Sequence, residues 1–445
     1  MAMASRGAVS VWSGVVLALA ASRAGHGQVP PRRAQISGPI AAERLAAVDD
    51  RADGTVLPAA TRSARIDRDG EVVRARPDSE SLRRGTLVRG ARLAVHEATQ
   101  GRGCRSAWLR LEADAWICGD GATLSSEPPR ATPQPPMRPG EVVPFQYAFA
   151  THAGVRTYRR LEDVADDDWA EELERGMSVA VVGTARQGGA AYVRSASGRW
   201  VSMRDLAFAR PSERAGIFYE PGETLASVAF LRANTRAWRT IESALHDHGP
   251  AGTMTEFTRR DAVHVREERM VHGLRMARLD AGWVRASLLQ RPESAAPPAG
   301  VGAHDRWVDV DRVRQMLVAW EGPTPVFATL VSTGRPGFET QVGEHRVWSK
   351  LATTDMSNVD NADLASATAL YTASRVPWVM FFHEDQALHG VFWHDLFGRP
   401  RSHGCVNLAP RDAAWLFRWA PPALPDGWSA VMASAADPGL LVRVR

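Results

Sequence analysis

Short apolar stretches, broken every few residues by Gly, Asp, Asn or Pro, run through most of this chain, and few segments carry the 3.6-residue recurrence of an amphipathic helix. From Gly85 onward Thr86-Leu87-Val88, Leu93-Ala94-Val95, Ala107 to Leu111 and Ala115-Trp116-Ile117 read as strands between turn residues. Near the other end Trp307 to Val310, Gln315 to Trp320 and Val326 to Val331 read the same way. Pro377-Trp378-Val379-Met380-Phe381-Phe382 is a continuous apolar run, which predicts a buried strand. Pro410 suits a first helical turn and opens a helix expected to reach about Trp419. The expected fold class is mainly β.

Punctuation divides the chain. After Arg6 an apolar run from Ala8 to Ala21 ends in small residues, the pattern of an export signal over 1–24. The run falls short of the roughly 20 apolar residues of a membrane span, so an uncleaved anchor is the lesser alternative and the only expected membrane contact. A flexible leader is expected over 25–80, a small β module over 81–126, a Pro-rich linker over 127–144, further β modules over 145–212 and 213–291, and a linker over 292–302. A compact β-rich domain fills 303–445. Ala115-Trp116-Ile117, Arg199-Trp200-Val201 and Gly282-Trp283-Val284 place tryptophans 84 and 83 residues apart, each after a run of short strands. These segments resemble bacterial Src-homology-three-like barrels; Trp-Val pairs in unrelated β domains are the competing reading. The acidic run Glu162 to Asp168 lacks the alternating ligands and Gly turn of a calcium loop and reads as a solvated loop or helix start.

Composition narrows the class. With 445 residues and 44% hydrophobic content the chain builds several packed cores, which excludes intrinsic disorder, a coiled coil and a disulfide-dense miniprotein. Its 54 basic residues include one lysine, Lys350, and the arginines are scattered among 50 acidic residues, so no nucleic-acid partner is expected. Export places the mature chain in the periplasm or cell envelope, an oxidising compartment. There the three cysteines acquire meaning. Cys104 and Cys118 would close a loop of about 15 residues, a bridge of roughly 3 kcal/mol, with two buried thiols as the alternative. Cys405 is left over as a reactive thiol.

Its surroundings suit that part. Arg401-Ser402-His403-Gly404-Cys405-Val406-Asn407 follows Leu388-His389-Gly390. A cysteine nucleophile needs a base and donors for an oxyanion; His389 and His403 can polarise the thiol, Gly404 permits close backbone approach, and the downstream helix adds positive dipole. Four histidines, His383, His389, His394 and His403, lie within 21 residues, but their spacing fits no familiar zinc pattern, and neither metal nor cofactor is expected. His383 and His394 are read as packing or surface residues.

This constellation resembles the L,D-transpeptidases, peptidoglycan cross-linking enzymes with a YkuD-like catalytic domain. His389, Gly390, Ser402, His403, Gly404, Cys405, Val406 and Asn407 meet the family signature, and Val331 to Gly334, Thr340, Gly343 and Lys350 agree further. The resemblance implies a β-sandwich over about 305–445 and no cofactor. It implies that Cys405 attacks a tetrapeptide stem, expels D-alanine and passes the acyl group to an amine on another stem or on a protein. His389 is then the general base, with His403, Gly404 and the Cys405 amide lining an oxyanion site. Gly390, Ser402 and Asn407 become supports, Met356 a residue of the substrate face, and carbapenems candidate inhibitors. Gln341 where the family has proline, His345 where an aromatic or aliphatic residue is common, and a spacer of 12 residues between His389 and Ser402 depart from the pattern. A stem-peptide hydrolase using the same cysteine, or a wall-binding scaffold built on the β modules, are the alternative functions.

Overall fold

The computed structural model describes residues 54–55, 57–250, 252–357 and 372–445. The expected export signal lies outside them. Among the described residues no helix is long and apolar enough to cross a membrane.

The C-terminal domain is two sheets with a helix. Strands β1 (Arg306–Asp311), β2 (Met316–Glu321), β3 (Thr324–Leu330), β4 (Gly343–Arg346), β5 (Ser349–Ser357), β6 (Thr372–His383), β7 (Gln386–Gly390) and β8 (Val406–Leu408) precede helix α1 (Pro410–Trp419). Strands β9 (Trp428–Met432) and β10 (Leu441–Val444) follow it. One sheet has the order β3-β2-β1-β10-β4, the other β9-β5-β6-β7-β8. Most pairs are antiparallel, but β1 and β10 run parallel, and so do β7 and β8, with Leu388 opposite Val406 and His389 opposite Asn407.

Side-chain direction separates core from site. Trp378, Met380 and Phe382 of β6, Leu388 of β7 and Val406 and Leu408 of β8 point into the core, where Ala413, Leu416 and Phe417 of α1, with Ala420 capping its end, cover them. That i, i+3, i+4, i+7 spacing is one helix face. Val376, Val379 and Ala387 point outward, yet they are buried too. Val143, at the end of the linker, and Tyr147 of the second N-terminal module lie on that outer face; Tyr147 stacks on Phe392 at 3.6 Å and its hydroxyl donates to Arg375 O. The unalternating apolar stretch of β6 is thus covered on both sides.

Three N-terminal units repeat one strand pattern. In the second, the sheet built on Gln146–Ala150, Ser178–Gln187 and Ala190–Ser195 has the same strand order as the third unit's sheet on Val228–Leu231, Ala262–Val271 and Leu274–Leu279. The first unit pairs its strands equivalently, split across two sheets. Trp116, Trp200 and Trp283 fall on the corresponding strand each time, followed by one turn of 3-10 helix and a closing strand. That closing strand pairs with its unit's first strand.

The first unit begins earlier than the sequence suggests. Ser63–Ile66 and Glu71–Arg74 are strands, and Ala64, Ile66 and Val73 are buried, so the flexible leader does not extend to residue 80. Four-residue strands flanked by Arg and Asp are too short to show a period. The unit's Arg83–Leu87 strand also pairs with β9, Leu87 opposite Trp428, so its sheet continues into the C-terminal domain. Gly85 permits that seam, because a Cβ there would meet Ala430 O at 2.1 Å. Cys104 and Cys118 form a disulfide in this unit, with Cα atoms 5.5 Å apart.

The segment after the second unit is pinned by Asp412 of α1. Its buried carboxylate accepts from the Gly216 amide at 2.8 Å and from the Thr329 hydroxyl at 2.5 Å, and burial raises it to about 6. A raised carboxylate contributes stability that is complete below the unfolded value near 3.8 and is lost as pH rises through 6. The stability difference between wild type and Asp412→Asn should therefore change by roughly 3 kcal/mol between about pH 4 and pH 7, the wild type losing ground. Urea unfolding at several pH values checks this; a difference independent of pH would remove Asp412 as the titrating group.

Candidate active site

His389 and Cys405 are brought together by the parallel β7–β8 pair. In a parallel register opposed residues share a face, and so do residues two apart. His389 faces outward opposite Asn407, and Cys405 lies two residues before Asn407, beside Ala387. The thiol and the imidazole therefore occupy diagonal positions on the outer face, and the thiol itself donates to Asp385 O at 3.8 Å.

Each group is held in a defined state. His389 is buried, and its Nδ1 lies 3.1 Å from Gly390 O, which requires Nδ1 to carry the hydrogen and leaves Nε2 as the basic atom. Burial lowers its pKa to about 4. Burial pushes the Cys405 thiol up to about 11, opposed by a hydrogen bond from the Ala387 backbone. At neutral pH the resting pair is thiol and neutral imidazole. Gly390 is required where it stands, because a Cβ would press on Trp378 at 2.9 Å and Ala413 at 3.2 Å.

The turn carrying Cys405 is tied from several directions. Gly404 has φ 120°, a conformation that favours glycine. Ser402 Oγ accepts from the Gly404 amide at 3.1 Å and donates to Cys405 O. Thr340 Oγ1 donates to Gly404 O at 2.8 Å and accepts from the Gly334 amide at 2.9 Å. The strand-like segment before Gly334 pairs alongside, with Ser332 and Asn407 exchanging backbone hydrogen bonds. Met356 of β5 packs in the same outer cluster as Cys405.

Several sequence expectations change. His403 Nε2 accepts from Arg335 at 2.8 Å, so that nitrogen is not a base for the thiol; burial and then Arg335 hold the ring neutral by lowering its pKa. The helix dipole does not act on the sulfur. Strand β8 intervenes, and at about 3.3 Å per residue it separates Cys405 from Pro410 by more than a helical turn, beyond which the effect fades. Gln341 replaces proline without loss of the turn: its amide, which proline lacks, donates to Gln386 Oε1 at 2.8 Å. His345 packs its ring on His383 at 4.8 Å, and their partners differ from those of His389 and His394. His394 is not a bystander, since it lies 3.2 Å from the Asn407 side-chain amide. Arg335 and Gln386 escaped the sequence reading, and His394 was read only as a packing or surface residue, because only folding brings them to the motif.

The family model described as the L,D-transpeptidase catalytic domain, YkuD, matches residues 305–432. No curated protein matches the chain. Among solved structures, a cysteine-to-serine mutant of an Enterococcus faecium L,D-transpeptidase is 20% identical over 35% of this chain and 55% of its own, with a TM-score of 0.25. The match thus spans about half of that protein. An L,D-transpeptidase from Mycobacterium smegmatis is 16% identical over 60% of this chain and 99% of its own, with a TM-score of 0.26. The LD transpeptidase LdtMt1, in complex with imipenem, is 15% identical over 60% and 99%, with a TM-score of 0.26.

Proposed function

With residues 305–432 belonging to the YkuD family of L,D-transpeptidase catalytic domains, we propose that this chain is a peptidoglycan L,D-transpeptidase with Cys405 as nucleophile and His389 as general base. The observation that carries the reading is the outward diagonal of His389 and Cys405 on adjoining parallel strands, with His389 Nδ1 committed to Gly390 O. Because both groups rest uncharged, the proton passes from Sγ to His389 Nε2 as sulfur attacks the carbonyl of the stem's third residue. The terminal D-alanine leaves with that proton, and a thioester remains on Cys405. An amine of a neighbouring stem then attacks the thioester and forms a 3→3 cross-link, while the thiol is regenerated. The Gly404 amide is engaged by Ser402, so the Cys405 amide takes the larger share of the oxyanion. His403, fixed by Arg335, lines the site without moving the proton. The N-terminal export pattern assigns this chemistry to the periplasm or cell envelope.

The purified chain, incubated with disaccharide-tetrapeptide, should yield cross-linked dimers by mass spectrometry, and Cys405→Ala should yield none. Free tripeptide alone would mean that water is the acceptor and would replace transfer by hydrolysis. A carbapenem, whose strained carbonyl presents the same electrophile, should leave an adduct on Cys405.

A further inference from the structure

The connection from β7 to Ser402 contains Asp395, a residue outside the family signature. Its carboxylate accepts from Ser212 Oγ at 2.5 Å and from Arg214 Nε at 3.1 Å. Both donors belong to the segment between the second and third N-terminal units. Its backbone oxygen accepts from Arg260 Nη1 at 2.8 Å, and Arg260 belongs to the third unit. Arg214 also reaches Asp261 at 3.4 Å. Three contacts from the N-terminal half thus converge on one residue of the loop between base and nucleophile.

The next residue back connects this clamp to the site. His394 Nδ1 accepts from the Leu396 amide at 3.2 Å, so the neutral ring carries its hydrogen on Nε2. Nε2 lies 3.2 Å from Asn407 Nδ2, and because two N–H groups cannot pair, we assign the amide with its oxygen toward Nε2. That assignment gives a partner to an oxygen otherwise buried without one. Asn407 is opposite His389 and exchanges backbone bonds with Ser332.

We propose that Asp395 is a positioning residue for the reaction, through which the N-terminal units hold His394, and by it Asn407, against the strand of the base. The N-terminal half is then part of the catalytic arrangement. This rests on His389 and Cys405 as the reacting pair but not on the identity of the acyl donor.

The test uses the full disulfide-bonded chain, in which Cys405 is the thiol outside the bridge. The rate of Cys405 alkylation by iodoacetamide is followed from about pH 5 to pH 12, beside the melting temperature, for Asp395→Asn, Asp395→Glu, Ser212→Ala and Arg214→Gln. Asp395→Asn should slow the neutral-pH reaction by about tenfold through misalignment of the base, while the rate at about pH 12, where the thiolate already exists, stays at the wild-type value. Asp395→Glu should recover part of the loss, and Asp395→Asn with Arg214→Gln together should do no more than Asp395→Asn alone. A folded Asp395→Asn that alkylates like wild type at neutral pH overturns the proposal, as does an equal slowing at every pH, which is a change of access. If Asp395→Asn does not fold, unchanged neutral-pH rates in both Ser212→Ala and Arg214→Gln overturn it. Failure of the acyl-donor reading registers separately, as absence of dimer and tripeptide from a chain whose alkylation still depends on Asp395.

Discussion

His389→Gln is expected to slow acylation of Cys405 at neutral pH by about 10²- to 10⁴-fold, the range of a well-placed general base. The pH dependence identifies the cause. In wild type the base is available above about 4 and the thiol ionises only near 11, so acylation should rise through pH 4 and then stay nearly level until the alkaline limb. Without the imidazole only the thiolate reacts, and the rate should climb about tenfold per pH unit toward 11. Mass-spectrometric rates of adduct formation with a carbapenem or tetrapeptide donor across that pH range check both curves. A wild-type rate that already climbs with unit slope through neutrality would remove His389 as the base.

Lys350→Met is expected to destabilise the chain by about 3–5 kcal/mol, the scale for stripping one partner from a buried charged network. Lys350 is fully buried on β5, and its ammonium donates to Phe417 O and Ala420 O at 2.6 Å and to Pro422 O at 2.7 Å. Three acceptors require the three donors of the charged form, and all three lie at or after the end of α1, where the helix leaves carbonyls unpaired. Methionine fills the space but leaves those oxygens buried without a donor, at about 1–3 kcal/mol each before relaxation. Urea unfolding at about pH 6, below the value of about 7 to which burial lowers the amine, measures the loss with the wild type charged. Acylation by folded variant at low temperature should be retained, because Lys350 points away from the outer face that carries Cys405. A midpoint unchanged from wild type would show that the three carbonyls find other partners.

How much of this was legible beforehand follows from how each signal is carried. Helix α1 spans Pro410–Trp419, as the proline and the following apolar spacing predict, because both signals are local. The spaced Trp-Val/Ile pattern marked three equivalent strands, since the β-branched residue after each Trp, Ile117, Val201 and Val284, fills the same place in its unit's core. The strands Ser63–Ile66 and Glu71–Arg74 were invisible, because four residues hold only two alternations and each strand carries an arginine. Arg335 on His403, Gln386 on the Gln341 amide and His394 on Asn407 were equally hidden: a hydrogen bond over 13 to 68 residues leaves no spacing in the chain.

The sequence alone determined the kinds of group at the site and their order along the chain. A His-Gly pair, a spacer and Ser-His-Gly-Cys specify a thiol, an imidazole and a turn only glycine accommodates, and those are properties of residues. The tertiary structure decided the rest. Pairing of β7 with β8 in parallel register put His389 and Cys405 on one face, and burial on that face left both uncharged at neutral pH. The N-terminal units acquired their bearing on the site only by folding back, where Tyr147 covers β6 and Ser212 and Arg214 grip Asp395. Protonation and alignment depend on what surrounds a group in space, and that is assembled from segments hundreds of residues apart.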